Sequence, residues 1–410
     1  MNLLYNESIV QQIHCIFMLK IKPNPGGLID PKHVIGRDIF IEDLWQTLEQ
    51  QSVILLAERR IGKSSILRKI EDESQESWLP ILWDVEHVDS VERFVEGLND
   101  KIIQYTSVKN RGESFTKKIF KALAGAKAWG FQIPEAGDIN HHDLLANLLG
   151  EVSKYQSQNK IQMLLIWDEF PWMLQKIIKN QGPKAAADLL DTLRHCRQSN
   201  NNLRMLYTGS IGLHQVIDSV RASGFSNEPT NDMRTMHLDA LNDDDAATLA
   251  NALLAGAGLN ERFNQQEVKA LCLLVDKVPF YIHHIVSSLK TENKTPEQIV
   301  KAAIAGQNNS WELEHYYTRL EDYYPDNWKD YALILDEIAF TDEPVSRASI
   351  QEQLKANPQV TNQTAMGDKA ALKKMLQDLI ADHYLIQDVD TAAYQFCYPL
   401  IKKWWRFYRD

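Results

Sequence analysis

Cysteine is scarce in this chain of 410 residues, which has four, and they lie far apart in the sequence. No C-x-x-C pair occurs, so the sequence offers neither a zinc-finger ligand set nor a disulfide framework. Scattered single cysteines are typical of proteins whose thiols stay reduced. We therefore expect a cytoplasmic location.

Long apolar runs are missing as well. A membrane-spanning helix needs roughly 18 or more apolar residues in succession, and runs such as Met163–Trp167 are far shorter. The N-terminal stretch has polar interruptions at Gln11, Gln12 and His14 and no basic leader, so it does not predict a signal peptide. We expect no membrane association, with Met18 as an alternative start to Met1.

Positive charge is in deficit. Lys and Arg total 44 against 55 Asp and Glu, which gives a net charge of −11. The surface as a whole therefore repels phosphate backbones and anionic lipids, so any nucleic-acid contact must be local. With 44% hydrophobic and 24% charged residues, the chain is globular rather than disordered, and its length predicts two or three domains.

Short apolar runs alternate with helical patterns in the first 240 residues. Strands are predicted at Ser52–Ala57, Leu79–Val85, Gln162–Trp167, Leu203–Tyr207 and Thr235–Leu238. Helical periodicity fills the gaps, as in Ala185–Cys196. This order predicts an α/β domain with a mostly parallel three-layer sheet over residues 34–240, preceded by an extended arm at 1–33 that is rich in proline and glycine.

Helical patterns dominate after Leu241. Four of them predict a small helical lid domain over residues 241–325. Three further helices and two short extended runs predict a winged helix over 326–410, which ends in a basic aromatic tail around Trp404 and Trp405. We expect that tail to pack against the winged helix.

Residues Ala57–Ser64 (AERRIGKS) match the phosphate-binding P-loop G-x-x-x-x-G-K-[ST] at every position but the first. The loop lies between a strand and a helix, so its amides can turn toward one anion at the helix N-terminus. The residues expected to bind nucleotide here are Arg60, Ile61, Gly62, Lys63, Ser64 and Ser65. Ala57 is the departure: if this position requires positive φ, alanine costs about 1 kcal/mol there.

Each polar residue of this region has an expected role. Lys63 reaches the β- and γ-phosphates, and the Ser64 hydroxyl ligates Mg²⁺. A second apolar run, Met163–Trp167, ends in Asp168 and Glu169. Asp168 is expected to hold Mg²⁺, whereas Glu169, pointing the other way by strand alternation, polarises the attacking water. Ser210, after the next strand, is expected to sense the γ-phosphate.

Several segments resemble the STAND branch of the AAA+ ATPases, especially archaeal-type ATPase proteins: VIGRD at Val34–Asp38, LLAERRIGKSSIL, LLIWDEF, YTGSIG and KVPFYIHHI. The resemblance spans nearly the whole chain. It implies that Gly36 and Arg37 lie by the adenine and that Pro279, in a G-x-P motif of the lid, touches the nucleotide. Lys277 replaces the glycine of that motif.

The resemblance implies a slow ATPase that works as a molecular switch, in which nucleotide state sets the domain arrangement and signals to an unidentified protein partner or effector, in stress or defence. ATP is preferred over GTP because no N-K-x-D tetrapeptide occurs. Nucleotide-dependent self-association stays open. Arg59 and Arg60 could equally contact phosphate or a neighbouring subunit, or pair with an acidic side chain.

The alternative is a DNA-binding, initiator-like AAA+ protein that uses its winged helix. DNA is not favoured as a partner, because Trp328–Asp410 has ten Lys and Arg against twelve Asp and Glu. A blander alternative is a P-loop scaffold that binds nucleotide without hydrolysing it. The segment 107–137, basic with interleaved aromatic residues, is expected to be a solvated helix packed on the sheet, with a partner contact as the alternative.

Overall fold

The computed structural model describes residues 19–75, 77–108, 140–200, 202–209, 212–225, 227–306, 310–357 and 368–410. The basic segment at 107–137 lies almost wholly outside the described residues. The chain divides into two compact units. We call Arg37–Ala57 with Lys63–Leu238 the sheet unit, and residues up to Gly36 with Glu58–Gly62 and Asp239–Asp410 the helical unit.

The sheet unit is built on five parallel strands in the order β2-β3-β4-β1-β5. The strands are β1 (Ser52–Ala57), β2 (Trp78–Asp84), β3 (Gln162–Asp168), β4 (Leu203–Gly209) and β5 (Met233–Leu238). Its helices are α1 (Asp38–Gln50), α2 (Lys63–Asp72), α3 (Val91–Val108), α4 (His141–Asn159), α5 (Phe170–Gln181), α6 (Pro183–Ser199) and α7 (Leu213–Ala222). The predicted α/β class with a parallel sheet is confirmed.

The sheet forms where apolar residues run without interruption, because strands covered on both faces bury every side chain. In β3, all residues from Met163 to Asp168 are buried. Trp167, Phe170 and Tyr207 stack with ring centroids between 4.2 and 5.5 Å apart. This cluster occupies one face at the carboxyl ends of β3 and β4, so the next residue along each strand faces the opposite side.

The helical unit contains nine α-helices, one short 3-10 helix (Pro31–His33) and one hairpin in its described residues. They are α8 (Asp243–Ala257), α9 (Gln265–Leu274), α10 (Pro279–Thr291), α11 (Pro296–Ile304), α12 (His315–Tyr323), α13 (Trp328–Ala339), α14 (Arg347–Ala356), α15 (Lys369–Ala381), β6 (Leu385–Gln387), β7 (Tyr394–Phe396) and α16 (Pro399–Arg409). Strands β6 and β7 pair antiparallel. The division into a lid at 241–325 and a winged helix at 326–410 stays a prediction.

Local signals explain where these helices begin. Asn264 and Glu267 form a capping box at the start of α9, and Thr295 with Gln298 does the same for α11. The basic aromatic tail is the helix α16, whose Trp404 and Trp405 are buried. The Trp405 indole donates to Asp336 Oδ1 at 2.8 Å, so α16 is anchored on α13. The tail therefore packs on α13, and the winged helix to which α13 is assigned stays a prediction.

The described part of the N-terminal arm is held on α8 and α10. The Ile21 amide donates to the Ala252 carbonyl at 3.0 Å. A Cβ added to Gly256 would lie 2.0 Å from the Ile21 carbonyl oxygen, so only glycine allows this close approach. The Asn24 amide donates to His283 Nδ1 at 3.1 Å. The arm is therefore an integral part of the helical unit.

No single helix among the described residues is long and apolar enough to cross a bilayer. Helices α9 and α10 would meet the length and composition only as a pair, and they are bent by 118° at the break between them.

His283 makes the helical unit sensitive to acid. Burial lowers the pKa of His283 to about 4, and the ring accepts a hydrogen bond from Asn24 through an unprotonated nitrogen. The unfolded chain therefore binds a proton below about pH 6.5 that the folded state refuses, and stability falls as pH drops toward 4. We expect His283→Gln, whose amide oxygen accepts without titrating, to remove up to about 3 kcal/mol of that loss.

The measurement is urea denaturation at about pH 7 and about pH 4.5. His195→Gln, which changes an exposed histidine, serves as the control and should keep the wild-type pH dependence. An unchanged pH dependence in His283→Gln would contradict the prediction. Burial also lowers the pKa of His284, to about 4. The His283→Gln variant therefore keeps part of the acid sensitivity, and the prediction concerns the difference between this variant and the wild type.

Candidate nucleotide-binding site

The P-loop connects β1, which ends at Ala57, to α2, which begins at Lys63. Ala57 does not have positive φ; within this loop, positive φ occurs at Arg60 (70°) and Gly62 (103°). The substitution at the first position therefore carries no backbone penalty in this structure. Gly62 requires glycine because of its φ of 103°, which residues with a Cβ rarely adopt. Space is not the reason, since a Cβ added there would meet no atom within 4 Å.

Four predicted residues come together in the sheet unit. Lys63 Nζ lies 3.1 Å from Asp168 Oδ1 and 3.0 Å from Glu169 Oε1. The Ser64 hydroxyl donates to Asp168 Oδ2 at 3.1 Å. These side chains belong to the start of α2 and to the end of β3. They meet because α2 follows β1, and β1 and β3 both have their carboxyl ends at the same edge of the parallel sheet.

The expected orientation of Glu169 is wrong. Strand alternation predicted that Glu169 points away from Asp168, yet both carboxylates contact Lys63. The reason is that β3 ends at Asp168 and Glu169 adopts a left-handed conformation with φ of 58°. Alternation applies only to extended residues, so the chain turns and brings the second carboxylate to the same lysine.

Two neighbouring carboxylates keep Lys63 positively charged. Burial alone would lower the pKa of this ammonium group, but the carboxylates of Asp168 and Glu169 outweigh burial and raise the pKa above its ordinary value. The side chain is 11% exposed. Lys63 is therefore a fully charged, largely dehydrated cation, which is the kind of group that binds phosphate strongly.

The donor set fits Mg²⁺. A serine hydroxyl and a carboxylate oxygen 3.1 Å apart are hard oxygen ligands of the type that this ion prefers. Thr208 offers a further polar atom: the residue is 2% exposed, and its hydroxyl has no hydrogen-bond partner among the described residues. Trp167 pairs with Tyr207 in register, so Thr208 lies beside Asp168 on the face opposite the aromatic cluster.

Ser210 lies outside the described residues, so its predicted role as a sensor stays a prediction. Thr208 was not among the predicted residues. Strand alternation places its side chain on the same face as Leu206, but both neighbouring residues, Leu206 and Tyr207, are apolar, so the sequence does not distinguish that face from the other. Ser65 is half-buried in the first turn of α2.

The predicted adenine-side and lid residues fall in different units. Gly36 has φ of 71°, and a Cβ there would lie 2.5 Å from Asp245 Cβ on α8, so glycine is required in the helical unit. Arg37 is buried and precedes α1 in the sheet unit. Pro279 is the first residue of α10. Lys277 has φ of 59°, which explains why glycine suits this position of the G-x-P motif.

The arginines of the P-loop are paired with an acidic side chain within the helical unit. Arg60 Nε donates to Glu312 Oε2 at 3.0 Å, and its guanidinium lies 4.5 Å from the centroid of the Phe280 ring. Arg59 Nη2 lies 3.4 Å from the same Glu312. The sequence left open whether Arg59 and Arg60 contact phosphate or a neighbouring subunit, or pair with an acidic side chain. In the structure they pair with the acidic side chain of Glu312. Ile61 between them and Gly62 is fully buried.

Lys63 should hold the two carboxylates together against their repulsion. We expect Lys63→Met to lower the free energy of unfolding by about 2 kcal/mol, because two buried carboxylates lose their counter-charge. Adding Asp168→Asn to that variant should recover part of the loss. Lys184→Met, which breaks an exposed ion pair on α6, is the control and should change stability by less than about 0.5 kcal/mol.

Urea denaturation of the three variants beside the wild type measures these differences. A double variant that is no more stable than Lys63→Met would mean that lost packing, rather than unpaired charge, causes the destabilisation.

One solved structure supports the fold. No protein-family model matches the chain, and no curated protein does. A Walker-type ATPase of Pyrococcus abyssi superposes with a TM-score of 0.60 at 17% identity, covering 95% of this chain and 99% of that one. The ORC2 protein of Aeropyrum pernix, in ADPNP–ADP complexes, gives 0.46 at 12% identity, covering 96% and 98%. At these identities the similarity concerns architecture, and the chain has the α/β P-loop NTPase fold of the Walker-type ATPase.

Proposed function

We propose that the chain is a Mg²⁺-dependent ATPase that turns over slowly and serves as a nucleotide-controlled switch of the STAND type. One observation carries the proposal: Lys63, Ser64, Asp168 and Glu169 converge within hydrogen-bond distance at the carboxyl edge of a parallel sheet. In P-loop NTPases such an edge is where phosphates, metal ion and attacking water meet. The P-loop NTPase fold supports this reading.

Binding of a triphosphate requires Lys63 to exchange partners. Its ammonium group, now shared by Asp168 and Glu169, would donate to phosphate oxygens instead. Ser64 and Asp168 would hold Mg²⁺, which when bound neutralises charge on the β- and γ-phosphate oxygens. After release from Lys63, the Glu169 carboxylate would accept a hydrogen bond from water and orient it. The Thr208 hydroxyl is placed to donate at the same edge.

The switch part of the proposal rests on the resemblance of the sequence to STAND ATPases. In that reading, nucleotide state controls the arrangement of the ATPase domain, lid and winged helix. Gly36 and Arg37 lie by the adenine, and Ser210 and Pro279 report hydrolysis to the lid. A protein partner or effector receives the signal. The net negative charge of residues 328–410 favours a protein partner over DNA.

Nucleotide binding and hydrolysis test the catalytic roles. We expect wild-type protein to bind ATP with Mg²⁺ and hydrolyse it slowly, and chelation of Mg²⁺ to weaken binding. Lys63→Ala should weaken ATP binding more than about tenfold, since it removes a dehydrated cation. Glu169→Gln should keep ATP binding but lower turnover by about 100-fold, because the amide cannot accept a proton from water.

Isothermal titration with ATP and a phosphate-release assay measure both quantities, and Lys184→Ala is the control for a surface lysine. Equal turnover in wild type and Glu169→Gln would exclude the assigned role of Glu169. Absence of turnover in wild type with retained ATP binding would indicate the scaffold. A second titration, of duplex DNA into the protein with and without ATP at low and physiological salt, tests the initiator-like alternative. Duplex binding that depends on ATP and survives physiological salt would favour that alternative.

A further inference from the structure

A buried ion pair joins the P-loop to α12 within the helical unit. Arg319 Nη1 donates to Glu58 Oε1 at 2.7 Å, and Nη2 lies 3.4 Å from Oε2. The Arg319 and Glu58 side chains are 2% and 1% exposed. Glu58 follows Ala57 directly, so this contact acts on the first residue of the loop after β1.

The arginine is also bonded to the C-terminal part of the chain. Its Nε donates to the Tyr384 hydroxyl at 2.6 Å, and Nη2 donates to the Asp382 carbonyl at 2.9 Å. The Tyr384 hydroxyl in turn donates to the Tyr316 carbonyl at 2.8 Å. The guanidinium therefore bridges two places at once, the P-loop and the turn between α15 and β6, which we call the 382–384 turn.

Aromatic rings enclose the bridge. The guanidinium carbon lies 4.0 Å from the centroid of the Tyr384 ring and 4.6 Å from that of Tyr316. Tyr324 donates its hydroxyl proton to Asp382 Oδ2 on the same turn. Charges in such a dehydrated setting are stable only with satisfied partners, so removing one partner leaves the other in an unfavourable state.

Residues 312–319, which include the start of α12, contact the P-loop at a second point. Glu312, three residues before α12, accepts hydrogen bonds from Arg59 and Arg60. His315 Nε2 lies 3.3 Å from Arg59 Nη1, and burial together with Arg319 and Arg59 lowers the pKa of His315 to about 3, which keeps its ring neutral. Glu58 is more deeply buried than Glu312, so removing the partner of Glu58 costs more than removing a partner of Glu312.

We propose that Arg319 is a positioning residue that holds the P-loop in its binding conformation through Glu58 and ties that conformation to the 382–384 turn. The proposal rests on the proposed function only for the identity of the ligand. Arg319 lies outside the P-loop motif. Through its bonds to Glu58 and to the Asp382 carbonyl, it is the contact by which the P-loop and the 382–384 turn influence each other.

Limited proteolysis tests the conformation of the loop without any nucleotide. Trypsin cleaves after arginine, and Arg59 and Arg60 are reporters within the loop. We expect Arg319→Met to raise the rate of cleavage at these two positions about tenfold or more, because proteolysis follows the population of the open loop. Mass spectrometry of the fragments identifies the positions cleaved.

Two further variants make the test specific. Arg409→Met breaks another ion pair of the C-terminal part, with Asp336, and should leave cleavage at Arg59 and Arg60 at the wild-type rate. Tyr384→Phe keeps the ring but removes the hydroxyl that accepts from Arg319, and should raise cleavage in the same direction by a smaller factor. Tyr384→Phe serves as the decisive variant if Arg319→Met does not fold.

ATP titration supplies the second readout. Glu58→Gln and Arg319→Met should each weaken ATP binding, and the double variant should be no weaker than the worse single variant, because both changes break one bridge. Wild-type cleavage rates in Arg319→Met and Tyr384→Phe, or equal acceleration by Arg409→Met, would overturn the inference. Failure of wild type to bind ATP would overturn the proposed function instead, and the proteolysis comparison would still decide the role of Arg319.

Discussion

Parallel pairing of β3, β4 and β1 is the constraint on which the site depends. It brings three carboxyl ends to one edge, so that Asp168, Thr208 and the start of α2 all lie at that edge. A dehydrated lysine then balances the two carboxylates that the edge collects. Because the backbone supplies the geometry, the side chains need little reorganisation to exchange one anion for another.

Much of the sheet unit could be predicted from the sequence, since uninterrupted apolar runs and helical periodicity are strong local signals. The strand at Ser52–Ala57 was predicted with the bounds that the structure has. The P-loop and the two carboxylates at the end of β3 were also predicted to belong to one site, because the carboxyl ends of parallel strands lie at the same edge of a sheet. The four residues that converge in the sheet unit were all among those predicted.

The parts that could not be predicted depend on single backbone angles or on distant partners. The left-handed conformation of Glu169 reverses the direction expected for its side chain, and no local pattern announces it. The buried partner of Glu58 lies 261 residues later, so no motif spacing reports it. The same holds for Gly256, whose need for glycine is set by the N-terminal arm rather than by its own helix.

Left-handed residues recur at positions that matter for the proposed chemistry. Arg60, Glu169 and Lys277 all have φ between 50° and 75°, at about 1 kcal/mol each for a residue with a Cβ. Each is held by an ion pair with a neighbour: Glu312, Lys63 and Asp243 respectively. Unfavourable backbone angles persist where surrounding contacts determine them, and these ion pairs supply such contacts.

The long separation between Glu58 and Arg319 has a consequence for biosynthesis. As the chain leaves the ribosome, the strands and helices up to Leu238 are complete well before residues 312–319 are made. The loop after β1 acquires these partners only after residues 312–319 have emerged, because contacts of high sequence separation form late. A nascent chain therefore holds all five strands of its sheet before the Glu58–Arg319 pair can form.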